Sequence, residues 1–386
     1  MTDQPATWAI LSQLLAATWD HHGVSLRDSI PWPEAAHLAR SHNLGPLLYA
    51  AAQRLNLELP DGIRAAVELT YYQAAIANTL HAERLGDTLS TLAPGGGPVL
   101  LLKGIALAES LYGNVALRPT SDSDLVVSQQ QVPAYRQGLL ELGYVPLELE
   151  FATGSQLAYR NEEALTLPDT PQVVVELHWH LLDLPYYLRK VPMDWFWENT
   201  NGLQIGDQVV RILNPEANLL YLPAHLALHH RFHGLRWFVD LAVLVHKHQD
   251  TLNWDKVIGK AQDFELVLVL RETLDRLAGF WPSLPLGEPL RRLHGLEPSA
   301  MEARLFRLLT AEPRSPLLDF YTDIICLPDL RARLRFVLLN LFPQPTYMAR
   351  RYGTKRTWHL PYWYLYRFGD GVVKMIRTLP QAIRLR

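Results

Sequence analysis

Three carboxylates stand at spacings that carry a chemical meaning. In TSDSDLVV, Asp122 and Asp124 are separated by one serine at the start of an apolar run. Side chains two apart in a strand leave the same face, about 6.5–7 Å from one another along the chain, so both carboxylates face one space. A second stretch, QVVVELHW, predicts a strand over residues 172–179. Val173, Val175, Leu177 and Trp179 form its apolar face, and Glu176 shares the other face with Val174, His178 and His180. Acids gathered on a buried sheet face repel one another, and burial disfavours their charged forms unless cations neutralise them. Magnesium suits that need, because it prefers oxygen ligands and keeps substrate phosphates among them. Two such ions about 3.5–4 Å apart stabilise the attacking and leaving oxygens of an in-line displacement. Asp122 and Asp124 with the distant Glu176 are the arrangement such a two-ion Mg²⁺ site, or one with Mn²⁺, needs.

Other chemistries fit parts of the same sequence. Asp122 can cap a turn at the strand start while Asp124 pairs with Arg118. His178 and His180, together with His225 and His229 one helical turn apart, offer a Zn²⁺ or Mn²⁺ site and hence a metallohydrolase. Against this, His225-Leu-Ala-Leu-His229 lacks the glutamate of His-Glu-x-x-His. These histidines can instead bond across the interface to the following helix, with His178 backing Glu176. Arg236 and Asp240, at i and i+4, read as a structural pair; alternatively Arg231 or Arg236 reaches a triphosphate.

The elements that must position these groups follow from periodicity. Residues 6–92 carry helical spacing, with Trp8, Leu11, Leu14, Leu15 and Trp19 as its first examples. APGGGP, residues 93–98, breaks the pattern and marks a boundary. Beyond it, Val99 to Leu102 predicts a buried strand, Ile105 to Tyr112 a short helix, Ser123 to Val127 a strand, Gln130 to Leu142 a helix, and Gly143 opens a strand through Val145 and Leu147. Helical spacing returns from Pro215, through Leu219 to Leu244 and from Asp255 to Leu277. The expectation is a helical region over 1–92, a small α/β domain over 93–212 and a helical region over 213–386.

The composition bounds the class. The 386 residues are 48% apolar and 19% charged, the balance of a globular chain. No apolar run approaches the ~18 residues that span a bilayer, and MTDQPATWAI lacks the features of a signal peptide. One cysteine, Cys326, excludes an intrachain disulfide or a cysteine-based zinc cluster. A cytoplasmic protein is expected. The net charge of −3 conceals an uneven distribution, since residues 331–386 hold twelve Lys or Arg against Asp370 alone. Between Arg350 and Arg367 the cations alternate with Tyr352, Trp358, Tyr362, Trp363, Tyr364 and Tyr366. That mixture suits an anionic partner, either a nucleic acid or an anionic membrane reached by an amphipathic helix; a solvated helix with inward aromatics, or a protein partner, fits it as well.

LLKGIALAESLYGNVALRPTSDSDLVV followed by GLLELGYVP resembles the core of bacterial nucleotidyltransferase-like proteins of the DNA polymerase β superfamily. The similarity is to a poorly characterised group with Leu-Lys-Gly, an arginine, Asp-x-Asp, Glu-x-His-Trp, and a histidine-rich helix followed by Arg-Trp and Asp. Here these are Lys103-Gly104, Arg118, Asp122 and Asp124, Glu176 to Trp179, and HLALHHRFHGLRWFVDLAVLV. The resemblance runs from about Leu44 to Tyr366 and implies an α+β fold, with a small mixed-sheet polymerase β-like domain between helical regions. It further implies an enzyme that moves an NMP from a triphosphate such as ATP to an acceptor, whether small molecule, protein or RNA. Gly104 would let the backbone approach the phosphates, with Lys103 and Arg118 as nucleotide-binding neighbours. Asp122 and Asp124 would hold the metals, and Glu176 would complete the site and help deprotonate the acceptor hydroxyl. His178, Arg231 and Arg236 would support the site from behind. One departure stands out: Lys103-Gly104-Ile105 replaces the usual Gly-Ser or Gly-Gly, and 18 residues separate Gly104 from Asp122. A degenerate nucleotide-binding or interaction protein of the same fold is the alternative.

Overall fold

The structure is a computed structural model and describes residues 4–20, 30–92, 97–148, 152, 154–311, 316–354 and 357–384. Residues 93–96 of the APGGGP boundary lie outside these, as do Lys355 and Arg356 of the basic stretch. The fold is α+β. Its centre is a seven-stranded mixed sheet: β1 (Leu100–Leu102), β2 (Asp122–Val126), β3 (Val145–Pro146), β4 (Glu162–Leu167), β5 (Thr170–His178), β6 (Thr200–Ile205) and β7 (Gln208–Leu213), in the order β3-β4-β5-β2-β1-β7-β6. β2 runs parallel to β5 and antiparallel to β1, while β1 runs parallel to β7.

Alternation along the strands divides the apolar side chains between two cores. Leu101, Leu125, Val127, Val175 and Leu177 face a core closed by Leu85, Leu89 and Leu92 of the helix Asp61–Leu92 and by Val132, Tyr135 and Leu139 of the helix Val132–Glu141. Leu100, Leu102 and Val126 face a larger core, which takes Leu11, Leu14 and Leu15 from the helix Gln4–Ala16 and Leu219, Phe238, Leu241 and Leu274 from helices beyond Pro215. Asp122, Asp124, Glu176 and His178 project to this second face, beside a core that could have taken aliphatic residues there.

The sequence pattern and the structure part in two places. Glu162 to Leu167, Thr200 to Ile205 and Gln208 to Leu213 are strands the sequence reading did not assign. Pairing with β5 forms β4, and β6 and β7 form a hairpin held by Gly206 at φ +55°. The helical pattern from Leu219 to Leu244 is interrupted: Pro215–Ala224 passes into a π-helical turn His225–His229, a short loop follows, and Leu235–His248 begins after Gly234 at φ +101°. A widened turn changes which side chains share a face, and here it brings His225 and His230 together.

Candidate active site

Register assembles the acid cluster. Parallel pairing of β2 with β5 sets Asp124 opposite Glu176 and Val126 opposite His178, and antiparallel pairing of β5 with β4 sets His178 opposite Glu162. On the other side of β2, Leu102 of β1 lies opposite Asp124, so the Lys103-Gly104 turn emerges beside the carboxylate. Lys103 Nζ reaches Asp124 Oδ1 at 2.7 Å, and His178 Nε2 lies 3.1 Å from the same oxygen. Asp124 is fully buried, and its second oxygen, Oδ2, has no hydrogen-bond partner among the described residues. Asp122 sits one pleat repeat away, half-buried, with the Ser121 hydroxyl donating to it at 3.5 Å.

Burial alone would push the Asp124 carboxyl up. The Lys103 ammonium and the hydrogen bond from His178 outweigh it and hold Asp124 well below the usual carboxylate range. Lys103 is the mirror case: burial disfavours its charge, but Asp124 carries its pKa above the ordinary lysine value. For Glu176, the hydrogen bond from His178 pulls down, while burial and the neighbouring charges of Asp124 and Glu162 push up, and the net shift is upward. His178 is buried, which opposes protonation, yet Glu162, Asp124 and Glu176 surround it and push it up to about 10. Its geometry agrees: Nδ1 lies 3.1 Å from Glu162 and Nε2 faces Asp124 and Glu176, at 3.1 and 3.4 Å. An imidazole with a carboxylate at each nitrogen donates from both.

Among the described residues, Asp124, Glu176 and His178 are the group whose ligand atoms lie close enough to share one cation, within 4.8 Å of one another; Asp122 is not part of it. With both ring nitrogens of His178 committed to carboxylates, the oxygens of Asp124 and Glu176 are the ligands on offer. The buried, unpartnered Oδ2 of Asp124 and the hard-oxygen donor set fit a magnesium-type cation. The residues do not fit a histidine-based zinc site. His180 spends both nitrogens on backbone, with Nε2 on the Val191 carbonyl at 2.9 Å and Nδ1 accepting from the Leu182 amide at 3.1 Å. His225 and His229 stack with ring centres 5.2 Å apart, and His225 shares a 3.0 Å hydrogen bond with His230. The metallohydrolase alternative is corrected on these contacts.

The basic residues divide differently from the sequence reading. Asp240 does not pair with Arg236, and Arg118 does not pair with Asp124. Arg118 Nε and Nη2 grip Asp240 at 3.0 and 2.9 Å, Tyr112 donates to Asp240 at 2.7 Å, and Arg118 and Asp240 are buried while Tyr112 is half-buried. Arg118 Nη1 also donates to the Gly104 carbonyl at 3.3 Å, so this arginine props the Lys103-Gly104 turn. Arg236 donates to the Pro119 carbonyl at 2.8 Å and lines the cavity, as Arg118 does; Arg231, at φ +50°, is not among the lining residues. Trp237 lies beneath the basic groups, 5.5 Å from Arg118, 5.1 Å from Arg236 and 5.9 Å from Lys103.

Three groups were missed by the sequence reading. Asn78 is wholly buried in the helix Asp61–Leu92; its Nδ2 donates to the Val115 and Arg118 carbonyls at 2.6 and 2.8 Å, and its Oδ1 accepts from the Thr120 amide at 3.1 Å. It thereby fixes the approach to Asp122. Glu162 charges His178. Asn161, also buried, lines the same cavity and has Oδ1 without a partner. A lone asparagine in an alanine-rich helix was the available signal for Asn78; nothing local marked the other two.

A cavity of 390 Å³ is lined by Lys103, Gly104, Asp122, Asn161, Glu162 and Glu176 and extends to Arg160, Asp183, Asp319 and Asp323. Gly104 is needed at its floor. With φ +31°, a Cβ there would stand 2.7 Å from Thr120 Oγ1 and 3.2 Å from the Asp122 carbonyl. Lys103 itself adopts φ +41°, a strained conformation for a residue with a side chain. Gly104→Ala is expected to cost about 1–3 kcal/mol and to displace Asp122, read as a lowered melting temperature with weakened triphosphate binding. An unchanged melt would contradict the tight approach.

The histidine cluster makes a separate prediction. Burial, with the charges of Lys103 and the neighbouring histidines, keeps His225 well below its ordinary pKa, and burial with the same kind of repulsion lowers His230 to about 4. Both are neutral in the folded protein at pH 6.5, whereas the unfolded chain begins to protonate there. Their contribution is complete above pH 6.5 and is lost as the pH falls toward 4. The loss should be visible as a fall in stability between pH 6.5 and 4. Denaturation at a series of pH values should show a shallower acid slope for a His225→Gln/His230→Gln variant than for the parent; equal slopes would refute the assignment.

The comparisons with known proteins agree with this geometry at the level of family. No curated protein matches the chain. An antigenic nucleotidyltransferase-like protein from Paracoccidioides brasiliensis, known from a crystal structure, is 17% identical, with 55% of this chain and 91% of that chain covered at a TM-score of 0.35. A family model described as uncharacterised nucleotidyltransferase matches residues 28–281, well over half the chain, and includes every strand of the sheet and each acid of the cluster. The chain therefore belongs to that family of uncharacterised nucleotidyltransferases.

Proposed function

We propose that the chain is a Mg²⁺-dependent nucleotidyltransferase of the polymerase β type, moving an NMP from a nucleoside triphosphate, with ATP the first to try, to an acceptor hydroxyl in the cytoplasm. One observation carries the reading: in-register parallel pairing puts Asp124 opposite Glu176, a residue that lines the cavity, and the buried Asp124 Oδ2 has no hydrogen-bond partner among the described residues. Asp122, Asp124 and Glu176 would hold the divalent ions. Once bound, these supply charge neutralisation at the phosphates and acidify the acceptor hydroxyl.

The chain's own residues do the rest. The Lys103-Gly104 turn receives the triphosphate, and the glycine lets the backbone come close. Lys103, released from Asp124, offers its ammonium to a phosphate. Arg236 lines the same cavity. Arg118, tied to Asp240, holds the turn rather than the ligand. Glu176, with its raised proton affinity, accepts the acceptor's hydroxyl proton. That oxygen attacks the α-phosphorus, the bond from the α-phosphorus to the bridging oxygen breaks, and pyrophosphate leaves. The acceptor would enter past Asp183, Asp319 and Asp323, which line the same cavity.

A second reading has its own observation. Lys103 Nζ already neutralises Asp124 at 2.7 Å, as a protein that had given up metal for an internal cation would arrange it. Such a chain would bind nucleotide without catalysis, or serve as an interaction module. Incubation with triphosphates labelled at the α-phosphate, together with small-molecule, RNA and protein fractions, separates the two. Label transferred only with Mg²⁺ or Mn²⁺ supports transfer. No transfer to any fraction by folded protein overturns it in favour of the second reading.

A further inference from the structure

The helix Leu360–Arg384 presents its faces the wrong way round for a protein surrounded by water. Leu360 is buried, and Trp363, Tyr364, Arg367 and Asp370 are half-buried against the helices Leu330–Leu341 and Pro345–Arg351. Tyr364 donates to the Pro343 carbonyl and Arg367 to the Asn340 carbonyl, at 2.5 and 3.0 Å, while Trp363 stacks on Tyr352 with centres 4.5 Å apart. The face turned outward carries Tyr362, Leu365, Tyr366 and Val373, exposed by 62, 73, 53 and 46%. Those positions, at i, i+3, i+4 and i+11, form one stripe. Leu330, Leu334, Leu338 and Phe342, each four residues apart and exposed, form another row on the adjoining helix. Ten of the seventeen large exposed apolar side chains among the described residues fall between 330 and 373, so the exposure is concentrated rather than scattered, and a concentrated patch marks an interaction surface.

The charge around the patch selects the occupant. Residues 331–386 carry twelve Lys or Arg and a single acid, and Arg331, Arg335, Arg350 and Arg351 are exposed beside the apolar rows. A second copy of the chain would set cation against cation across a self-complementary interface. A nucleic acid would satisfy the arginines and tyrosines but leave Leu334, Leu338, Leu365 and Val373 with nothing apolar to enter. An anionic bilayer surface satisfies both: hydrocarbon takes the aliphatic stripe, the headgroup layer takes Tyr and Trp, and lipid phosphates take the arginines. No helix among the described residues is long and apolar enough to cross a membrane, so the contact would be with one leaflet. We propose that the described surface between Leu330 and Val373 is an anionic-membrane docking surface, with Tyr362, Leu365, Tyr366 and Val373 inserting at the interface. This rests on the surface alone and does not depend on the catalytic reading.

The test is sedimentation of the full chain with vesicles of phosphatidylcholine alone and of phosphatidylcholine mixed with phosphatidylglycerol, at low and high salt. The expected result is binding to the mixed vesicles only, weakened by salt, and reduced at least about tenfold in a Tyr362→Asp/Leu365→Asp variant. Both positions are exposed, so circular dichroism of that variant should match the parent. No binding to the mixed vesicles, or equal binding by the variant, overturns the proposal. So does a stable dimer or an RNA complex that the same double substitution abolishes while lipid affinity is absent.

Discussion

Asp122→Asn is expected to lower nucleotidyl transfer by a factor on the order of 10³ and to leave the melting temperature within about 1 °C. The side chain is half-buried, its contact with Ser121 is long, and asparagine keeps its shape. What the substitution removes is a negative charge at the mouth of the cavity. The contrast with Asp124 gives the prediction its force. Asp124→Asn should also abolish transfer, but it leaves Lys103 and His178 buried without their shared counter-charge, and breaking a buried pair from one side costs about 3–5 kcal/mol. Transfer assays and thermal melts on both variants should therefore separate: one inactive and stable, the other inactive and destabilised. An active Asp122→Asn enzyme would remove that carboxylate from the proposed site.

Asp240→Asn should produce the largest stability loss in the molecule at a position outside the acid cluster. Arg118 and Asp240 are 2% and 0% exposed and are joined by hydrogen bonds from both Nε and Nη2, with Tyr112 as a further donor. Guanidinium left buried without its carboxylate costs about 3–5 kcal/mol, which in a chain of this size lowers the melting temperature by about 4–6 °C. An Arg118→Met/Asp240→Leu variant, which removes both charges, should recover a good part of that loss, because the unpaired charge and not the missing pair is the main expense. The same variant should still bind triphosphate weakly, since Arg118 props the Gly104 carbonyl. Chemical denaturation measures all of this. A single variant within about 1 kcal/mol of the parent would show that Arg118 finds another partner.

The sequence exposed what depends on a period of two. Asp122 with Asp124, and Glu176 with His178, share faces because alternate residues must, and the apolar partners Leu125, Val175 and Leu177 confirm the other face. The four strands β1, β2, β3 and β5, with continuous or alternating apolar residues, were legible for the same reason. Strands β4 and β6 were not: EEALTL and TNGLQI carry few β-branched residues, and pairing with neighbours rather than propensity holds them; β7, with Val209, Val210 and Ile212, was passed over although its residues suit a strand. The family resemblance supplied the association of Asp124 with Glu176, two residues 52 positions apart whose adjacency needs β2 and β5 to pair. Partner choice among charges was the least legible feature. Asp240 has Arg236 one turn away on its own helix, yet it binds Arg118 across 122 residues, because the loop that Asn78 clamps delivers that arginine into the core. Glu162 escaped notice because it lies in a strand the sequence did not announce.

Titration calorimetry of the full chain with ATP, GTP, CTP and UTP, each with and without Mg²⁺, tests the central claim most directly. The acid cluster predicts binding of at least one triphosphate that requires Mg²⁺ and disappears in Asp122→Asn while that variant remains folded. Triphosphate binding that ignores Mg²⁺, or no binding by a protein shown to be folded, would contradict a metal-held nucleotide on Asp122, Asp124 and Glu176.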